Sequence, residues 1–168
     1  MKGQSMLIDL WPRVIEAVPG AQLWVVGGGE GQQGLAKRAW AVGVADSVHF
    51  TGQVSDAELD RCYRSCDVFA MPSRGEGFGL VFAEAMARGL PCVASRVDAG
   101  AEVVEDGRTG LLVDPDDRDE VLAALLRLLH DDGLRRRLGE AGLARARSEF
   151  SVQEFRRRLW GILGANRV

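Results

Sequence analysis

Two glutamates and a glycine-rich loop are the residues of this sequence best suited to chemistry. Glu76 and Glu84 are separated by seven residues, and the glycines at Gly77 and Gly79 precede a helix that we expect to begin near Leu80. An ionised carboxylate accepts hydrogen bonds from two donors at once. Carboxylates paired in this way therefore suit the hydroxyl groups of a sugar and of a ribose.

The backbone of the same loop predicts an anion site. Gly77 and Gly79 allow a ligand to approach the chain closely, because glycine has no Cβ. The first N–H groups of the helix after the loop have no partner within that helix, and the helix dipole adds partial positive charge there. A diphosphate is stabilised in such a place, although acidic residues at a helix start are also common without any ligand.

A second glycine cluster, Gly27-Gly28-Gly29, follows the apolar run at residues 23–26. This cluster is open to two simpler interpretations, a plain turn or the phosphate-binding fingerprint of a dinucleotide cofactor. The fingerprint requires G-x-G-x-x-G, and Gln32 stands where the third glycine belongs. We therefore expect no nicotinamide cofactor.

Composition and charge exclude several classes of protein. The chain has 168 residues, which suits one domain, with 21 Lys and Arg against 24 Asp and Glu and a net charge of −3. This balance argues against a general nucleic-acid-binding protein, and the arginine runs at 135–137 and 156–158 are typical of solvated helix faces. No run of 18 apolar residues exists, so we predict no membrane span.

The cysteines and histidines predict neither disulfides nor a metal site. Three cysteines without a regular framework suit free thiols in a reducing cytoplasm, and His49 and His130 are too few to complete a zinc motif with them. We expect His49 to be a partly buried structural residue. The tryptophans should fill the core or an interface; they are Trp11, Trp24, Trp40 and Trp160.

Short apolar strands alternate with helices along the chain. This pattern is typical of an α/β fold with a doubly wound parallel sheet, in which ligands bind at the carboxyl ends of the strands. Pro12 is expected to kink the first helix or shift its start. We predict strands at 23–26, 48–50, 67–71, 92–94 and 110–113, and helices at 3–17, 31–42, 55–65, 80–87, 117–130, 133–147 and 151–163.

The segment from Glu76 to Glu84 resembles the E-x7-E signature of retaining glycosyltransferases of the GT-B class, family four. Further matches occur in the family's order along nearly the whole chain, at Lys2-Gly3, 23–31, 48–52 and 105–113. The resemblance implies that residues 1–168 are a single Rossmann-like domain, the C-terminal, donor-binding half of a GT-B fold.

The resemblance also implies roles for individual residues. Glu84 would bind the ribose hydroxyls of the nucleotide, and Glu76 the hydroxyls of the transferred sugar. Lys2 would neutralise the diphosphate as it leaves. The remaining residues would bind the diphosphate and sugar through backbone N–H groups or border the nucleotide; they are Gly77, Phe78, Gly79, Leu80, Gly28 and Gly29. The nucleotide diphosphate sugar is then the substrate, and no metal or other cofactor is expected.

The sequence departs from the family pattern at two places, and these departures leave alternative functions open. The family usually has an arginine shortly before the lysine and a small-residue pair before the Glu-Val of a later loop, where this chain has 98–102. We expect the N-terminal acceptor domain to be absent and the chain alone to be inactive. A non-catalytic subunit that needs a partner domain and half of a sugar-nucleotide epimerase remain alternatives.

The last helix leads to a further expectation, which concerns association. Its apolar stripe predicts weak self-association and consists of Phe155, Leu159, Trp160 and Ile162. We expect a cytoplasmic protein, with peripheral membrane attachment through the absent half as an alternative.

Overall fold

Parallel strands and helices alternate in the computed structural model, which describes residues 2–151, Glu154 and Arg157. The α/β fold class is thus as predicted. In chain order the elements are α1 Gln4–Ala17, β1 Leu23–Val26, α2 Gln32–Ala41, a 3₁₀ turn Ala45–Ser47, β2 Val48–Gly52, α3 Asp56–Ser65, β3 Phe69–Met71, α4 Leu80–Met86, β4 Cys92–Ser95, α5 Gly100–Val103, β5 Gly110–Val113, α6 Arg118–His130 and α7 Asp132–Glu149.

Most predicted elements are confirmed within about two residues, and the differences are local. α1 begins at Gln4 and runs through Pro12, so the proline does not shift its start. The short helix α5 and the 3₁₀ turn were not predicted, because elements of three or four residues are too short to show a hydrophobic period. The predicted helix at 151–163, with its apolar stripe, lies outside the described residues apart from a few positions.

The strands form two parallel sheets, whereas the sequence predicts one continuous sheet. β1 pairs with β2, and β4 lies between β3 and β5. β4 is buried at all four positions, but every residue of β1 and β3 is at least partly exposed. β1 and β3 do not pair with each other, and residues of both strands line a common cavity of about 1010 Å³.

Two apolar clusters cover the opposite faces of the strands. One cluster joins α1, α2 and α6 to the sheets, and the other contains residues of α3, α4, α5 and α7. β4 alternates between them, since Val93 belongs to the first cluster while Cys92 and Ala94 belong to the second. This three-layer packing leaves the loops that follow the strands at one edge, where α/β proteins bind ligands.

Residues predicted to be structural mostly behave as expected. The three cysteines are free thiols, and burial raises the pKa of the Cys92 thiol. His49 is half-buried, with its Nε2 atom 2.5 Å from Gln22 Oε1. Trp11 is buried, but Trp24 and Trp40 are exposed and belong to no core cluster. Trp160 lies outside the described residues.

One carboxylate ties three helices of the first layer together. Asp9 on α1 accepts hydrogen bonds from Arg38 on α2, with Arg38 Nη2 2.7 Å from Asp9 Oδ2, and it also pairs with Arg118 on α6. The hydrogen bond from Arg38 is the main cause of the lowered pKa of Asp9. α2 belongs to the β1–β2 half of the molecule and α6 follows β5, so this ion cluster spans both halves.

A close backbone contact holds α7 against the turn after α4. This contact predicts how a single added methyl group changes the stability of the protein. A Cβ on Gly139 would lie 2.1 Å from the carbonyl oxygen of Gly89, whereas a Cβ on Gly34 in α2 would meet nothing within 4 Å. Gly139→Ala should therefore destabilise the protein by about 1–3 kcal/mol through overpacking. Gly34→Ala should stabilise it by roughly 0.5–1 kcal/mol, because alanine favours helix.

Urea unfolding of the two variants and the unsubstituted chain measures both changes. A Gly139→Ala protein as stable as the Gly34→Ala protein would show that α7 does not pack on Gly89 as described.

Candidate functional site

The loop at 72–79, between β3 and α4, requires a glycine at its end. Gly79 caps α4 in the left-handed backbone region, with φ at 69°. A Cβ there would also lie 2.7 Å from Val103 Cγ2 and 3.0 Å from the carbonyl oxygen of Ala99. The structure therefore requires a glycine here for packing within the protein, and the predicted approach of a ligand to Gly79 stays a prediction.

Asp98, after β4, holds the loop in place. Its Oδ2 atom accepts hydrogen bonds from the buried hydroxyl of Ser73 and from the N–H group of Glu76, at 3.1 Å in the second case. Its Oδ1 atom accepts from the N–H group of Gly100 at 2.9 Å. Asp98 was not predicted from the sequence to be part of the site. The available signal was the Asp-Ala-Gly triplet after a strand, because aspartate often accepts from the N–H group two residues on.

Glu76 is the anion at the centre of the loop. Its Oε1 atom accepts hydrogen bonds from the N–H groups of Phe78 and Gly79, at 3.3 and 3.1 Å, and its Oε2 atom pairs with Lys2 Nζ. The hydrogen bond from Lys2 is the main cause of the lowered pKa of Glu76, and the two N–H groups lower it further. The structure therefore brings together both residues for which the sequence predicts a catalytic role.

Glu84 on α4 is held by a tyrosine that the sequence did not single out. The buried Tyr63 hydroxyl donates to Glu84 Oε2 at 3.1 Å. Burial is the main cause of the raised pKa of Tyr63, followed by the charge of Glu84, so the hydroxyl stays a donor at neutral pH. Arg88 lies 4.9 Å above the tyrosine ring and donates to the Glu84 carbonyl oxygen at 2.9 Å.

The second glycine cluster lies against the loop after β2. A Cβ on Gly28 would be 2.9 Å from Gln53 Cγ and 3.2 Å from Gln53 N. Gly28 lines the cavity between β1 and β3 together with Lys2 and Glu84. Gly29 does not line it, and a Cβ on Gly29 would meet nothing within 4 Å.

The remaining predicted residues lie on an open face of the loop. Phe78 is 82% exposed and Leu80 is 65% exposed, so the Phe78 ring does not pack locally to fix the loop. Gly77 is also exposed. None of these three lines the cavity. Since α4 has only seven residues, its dipole is short, and the positive charge of the site comes mainly from Lys2 and from single N–H groups.

Metal clusters and membrane-spanning helices are two other features that the described residues could form. No three histidine, cysteine, aspartate or glutamate side chains in this part of the chain come together as metal ligands. None of the helices that the structure describes has the length and apolar character needed to cross a membrane.

Comparison with known proteins agrees with the resemblance. The family model described as glycosyl transferases group 1 matches residues 1–145. The phosphatidyl-myo-inositol mannosyltransferase of Mycobacterium leprae is 43% identical over 142 residues, which are 84% of this chain and 37% of that protein. The GDP-mannose-dependent alpha-(1-6)-phosphatidylinositol monomannoside mannosyltransferase of Mycobacterium tuberculosis is 41% identical over 148 residues, 84% of this chain and 38% of that protein.

A solved structure shows the same fold with a ligand. HepE from Anabaena in complex with UDP-glucose superposes with a TM-score of 0.85 at 27% identity, over 98% of this chain and 45% of that one. The chain thus spans less than half the length of each of these proteins.

The ion pair at Glu76 yields a prediction on its ionisation. Lys2→Gln removes the main cause that lowers the pKa of the Glu76 carboxyl, so this pKa should rise towards its ordinary value of 4.5. A carboxyl with a lowered pKa adds stability above its ordinary pKa, and that stability is lost as the pH falls through the lowered value. Lys2→Gln should therefore weaken the part of the acid stability that comes from Glu76.

Carbon-detected NMR titration of the glutamate carboxyls, assigned with Glu76→Gln, measures the pKa directly. Lys37→Gln, on the exposed face of α2, is the matched control for the loss of one lysine. A Glu76 pKa that does not move in Lys2→Gln would contradict the ion pair.

Proposed function

The chain belongs to the glycosyl transferases group 1 family, and from this premise we propose that it binds the nucleotide-sugar donor of a retaining glycosyltransferase. A single observation carries the proposal. In the loop at 72–79, the Lys2 ammonium group and two backbone N–H groups surround the Glu76 carboxylate and together form a site for an anion. Glu84, with one oxygen bound to Tyr63, supplies a second carboxylate.

The diphosphate would take the place that the Glu76 carboxylate occupies. A carboxylate and a phosphate both accept hydrogen bonds from N–H groups and pair with an ammonium group. The contacts of Phe78, Gly79 and Lys2 with Glu76 therefore support the binding of a second anion by the same groups. A released Glu76 side chain would be free to accept hydrogen bonds from the hydroxyls of the transferred sugar. Lys2 would stabilise the charge that develops on the departing diphosphate.

The ribose would bind to Glu84. Its Oε2 atom already accepts from Tyr63, which fixes the orientation of the carboxylate, and a carboxylate has lone pairs for further donors. Gly28 lies across the same cavity, at a place where any side chain would meet Gln53. This arrangement supports a nucleoside bordered by the loop after β1, with its ribose towards α4.

GDP-mannose is the donor that we propose to test first. The Mycobacterium tuberculosis relative is described as GDP-mannose-dependent and is 41% identical to this chain, whereas the structure with UDP-glucose is 27% identical. Transfer to an acceptor, with retention at the anomeric carbon, is proposed for a longer protein, since the chain covers 37–38% of these mannosyltransferases.

Peripheral association of that longer protein with the cytoplasmic side of a membrane stays a prediction, supported by the phosphatidylinositol acceptors in the relatives' names. Half of an epimerase stays an alternative that donor binding alone does not distinguish. Product analysis of the longer protein would distinguish the two.

Substitution of the two glutamates tests the division of labour between them. Glu84→Gln should weaken the binding of both GDP and GDP-mannose by about tenfold or more, because a hydrogen bond to a charged group is worth roughly 1.5–3 kcal/mol. Glu76→Gln should not weaken the binding of GDP, since it removes a competing anion, and should weaken only the binding of GDP-mannose. Both proteins should keep their fold, since neither side chain belongs to an apolar cluster.

Calorimetric titration of each variant with GDP, GDP-mannose and UDP-glucose measures these affinities. Glu140→Gln, at an exposed position of α7, is the matched control and should bind like the unsubstituted chain. Equal losses for both guanosine ligands in both variants would refute separate roles, and no binding of any nucleotide sugar would refute the proposed function.

A further inference from the structure

Arg88, in the turn after α4, joins groups from two neighbouring helices. Its Nη1 atom donates to the Glu84 carbonyl oxygen at 2.9 Å, and its Nε atom donates to Asp60 Oδ1 on α3 at 2.8 Å. Its guanidinium carbon lies 4.9 Å from the centre of the Tyr63 ring. Because the Tyr63 hydroxyl donates to the Glu84 carboxylate, Arg88 contacts both partners of that hydrogen bond.

The carboxyl end of α4 leaves a backbone acceptor for this arginine. The N–H group of Ala87 donates to the Ala83 carbonyl oxygen, and the N–H group of Arg88 donates to that of Ala85. Neither N–H group uses the Glu84 carbonyl oxygen, and such carbonyls at a helix end need a partner outside the helix. The Arg88 side chain supplies that partner. It therefore fixes the backbone of the residue whose carboxylate Tyr63 holds.

The Glu84 side chain needs such support because Glu84 is exposed, so packing alone does not fix its carboxylate. The Tyr63 hydroxyl that donates to it is held by burial, and the Tyr63 ring lies against Phe69 with the ring centres 5.9 Å apart. A long side chain loses rotamer freedom when it binds a ligand, and one that is already oriented loses less. Orienting Glu84 in advance therefore raises the affinity for any group that it binds.

We propose that Arg88 is a positioning residue for ribose binding, which acts through the Glu84 backbone and the Tyr63 ring. The inference rests on the proposed function, in which Glu84 binds the ribose. Arg88 does not line the cavity that Glu84 shares with Gly28, so it would act without contacting the nucleotide there. A guanidinium group suits this task, because its planar fork donates in several directions while its face covers an aromatic ring.

Calorimetric titration of Arg88→Met with GDP tests the proposal, since methionine keeps an unbranched side chain and removes every donor. GDP binding should weaken about three- to tenfold, the range that corresponds to the net contribution of one hydrogen bond. Arg64→Met is the matched control. Arg64 Nε also donates to Asp60, at 2.7 Å, but the structure shows no contact of Arg64 with Glu84 or Tyr63 among the described residues. This control should bind GDP like the unsubstituted chain.

Two further comparisons separate positioning from general stabilisation and from the effect of charge. In a Glu84→Ala background, Arg88→Met should cause no further loss of GDP affinity, because the carboxylate that it positions is gone. Arg88→Lys keeps the charge without the planar fork, so it should recover only part of the affinity. An equal loss in both backgrounds, or full recovery by lysine, would overturn the proposal.

A measurement without nucleotide keeps this test apart from the test of the proposed function. In carbon-detected NMR spectra the Glu84 carboxyl signal should shift in Arg88→Met in the same direction as in Tyr63→Phe, and it should stay in place in Arg64→Met. These shifts without any binding of GDP to the unsubstituted chain would refute the proposed function and support the positioning of Glu84. A Glu84 signal that does not move in Arg88→Met would overturn the positioning role, whether or not GDP binds.

Discussion

The three backbone and hydroxyl groups that converge on Asp98 determine the geometry on which the candidate site depends. Ser73, Glu76 and Gly100 all donate to this one carboxylate, and they belong to two loops that follow neighbouring strands. Among the described residues, one further hydrogen bond, from the Ala99 N–H group to the Glu76 carbonyl oxygen, joins the loop at 72–79 to the segment before α5. The position of Glu76, and hence of the groups around it, follows from this clamp.

The arrangement around Glu76 connects the ground state of the protein to its proposed activity. The Glu76 carboxylate is already bound to an ammonium group and two N–H groups, so under the proposed function a diphosphate would compete with it for these three partners. The proposed affinity for the donor would then depend on how much more strongly the diphosphate binds these three partners than the Glu76 carboxylate does. Such competition favours the more highly charged ligand, because each added charge strengthens the pairing with Lys2.

The sequence predicted what is encoded locally and missed what depends on long-range contacts. Apolar runs and glycines placed all five strands and the loop that ends at Gly79, since strand and turn signals lie within a few residues. The Tyr63–Glu84 bond joins residues 21 positions apart, and no pattern in one sequence connects them. The split between β1 and β3 was missed because strand patterns identify strands without stating which edges pair. For the same reason the shared cavity of Lys2, Gly28 and Glu84 was expected only from the family resemblance.

The ion cluster at Asp9 has a consequence for how the molecule comes apart. No ladder of hydrogen bonds joins the β1–β2 sheet to the β3–β5 sheet, so the two halves cohere through α1, its apolar contacts and the pairs of Asp9 with Arg38 and Arg118. Cooperative unfolding requires that each half lose stability when the other opens. Acid that protonates Asp9 removes the charged part of that coupling and leaves the apolar contacts of α1 to hold the two halves together. Unfolding of the two halves is then expected to be less tightly coupled at acid pH than at neutral pH, and Gly27, Gly28 and Gly29 lie in the half that contains α2.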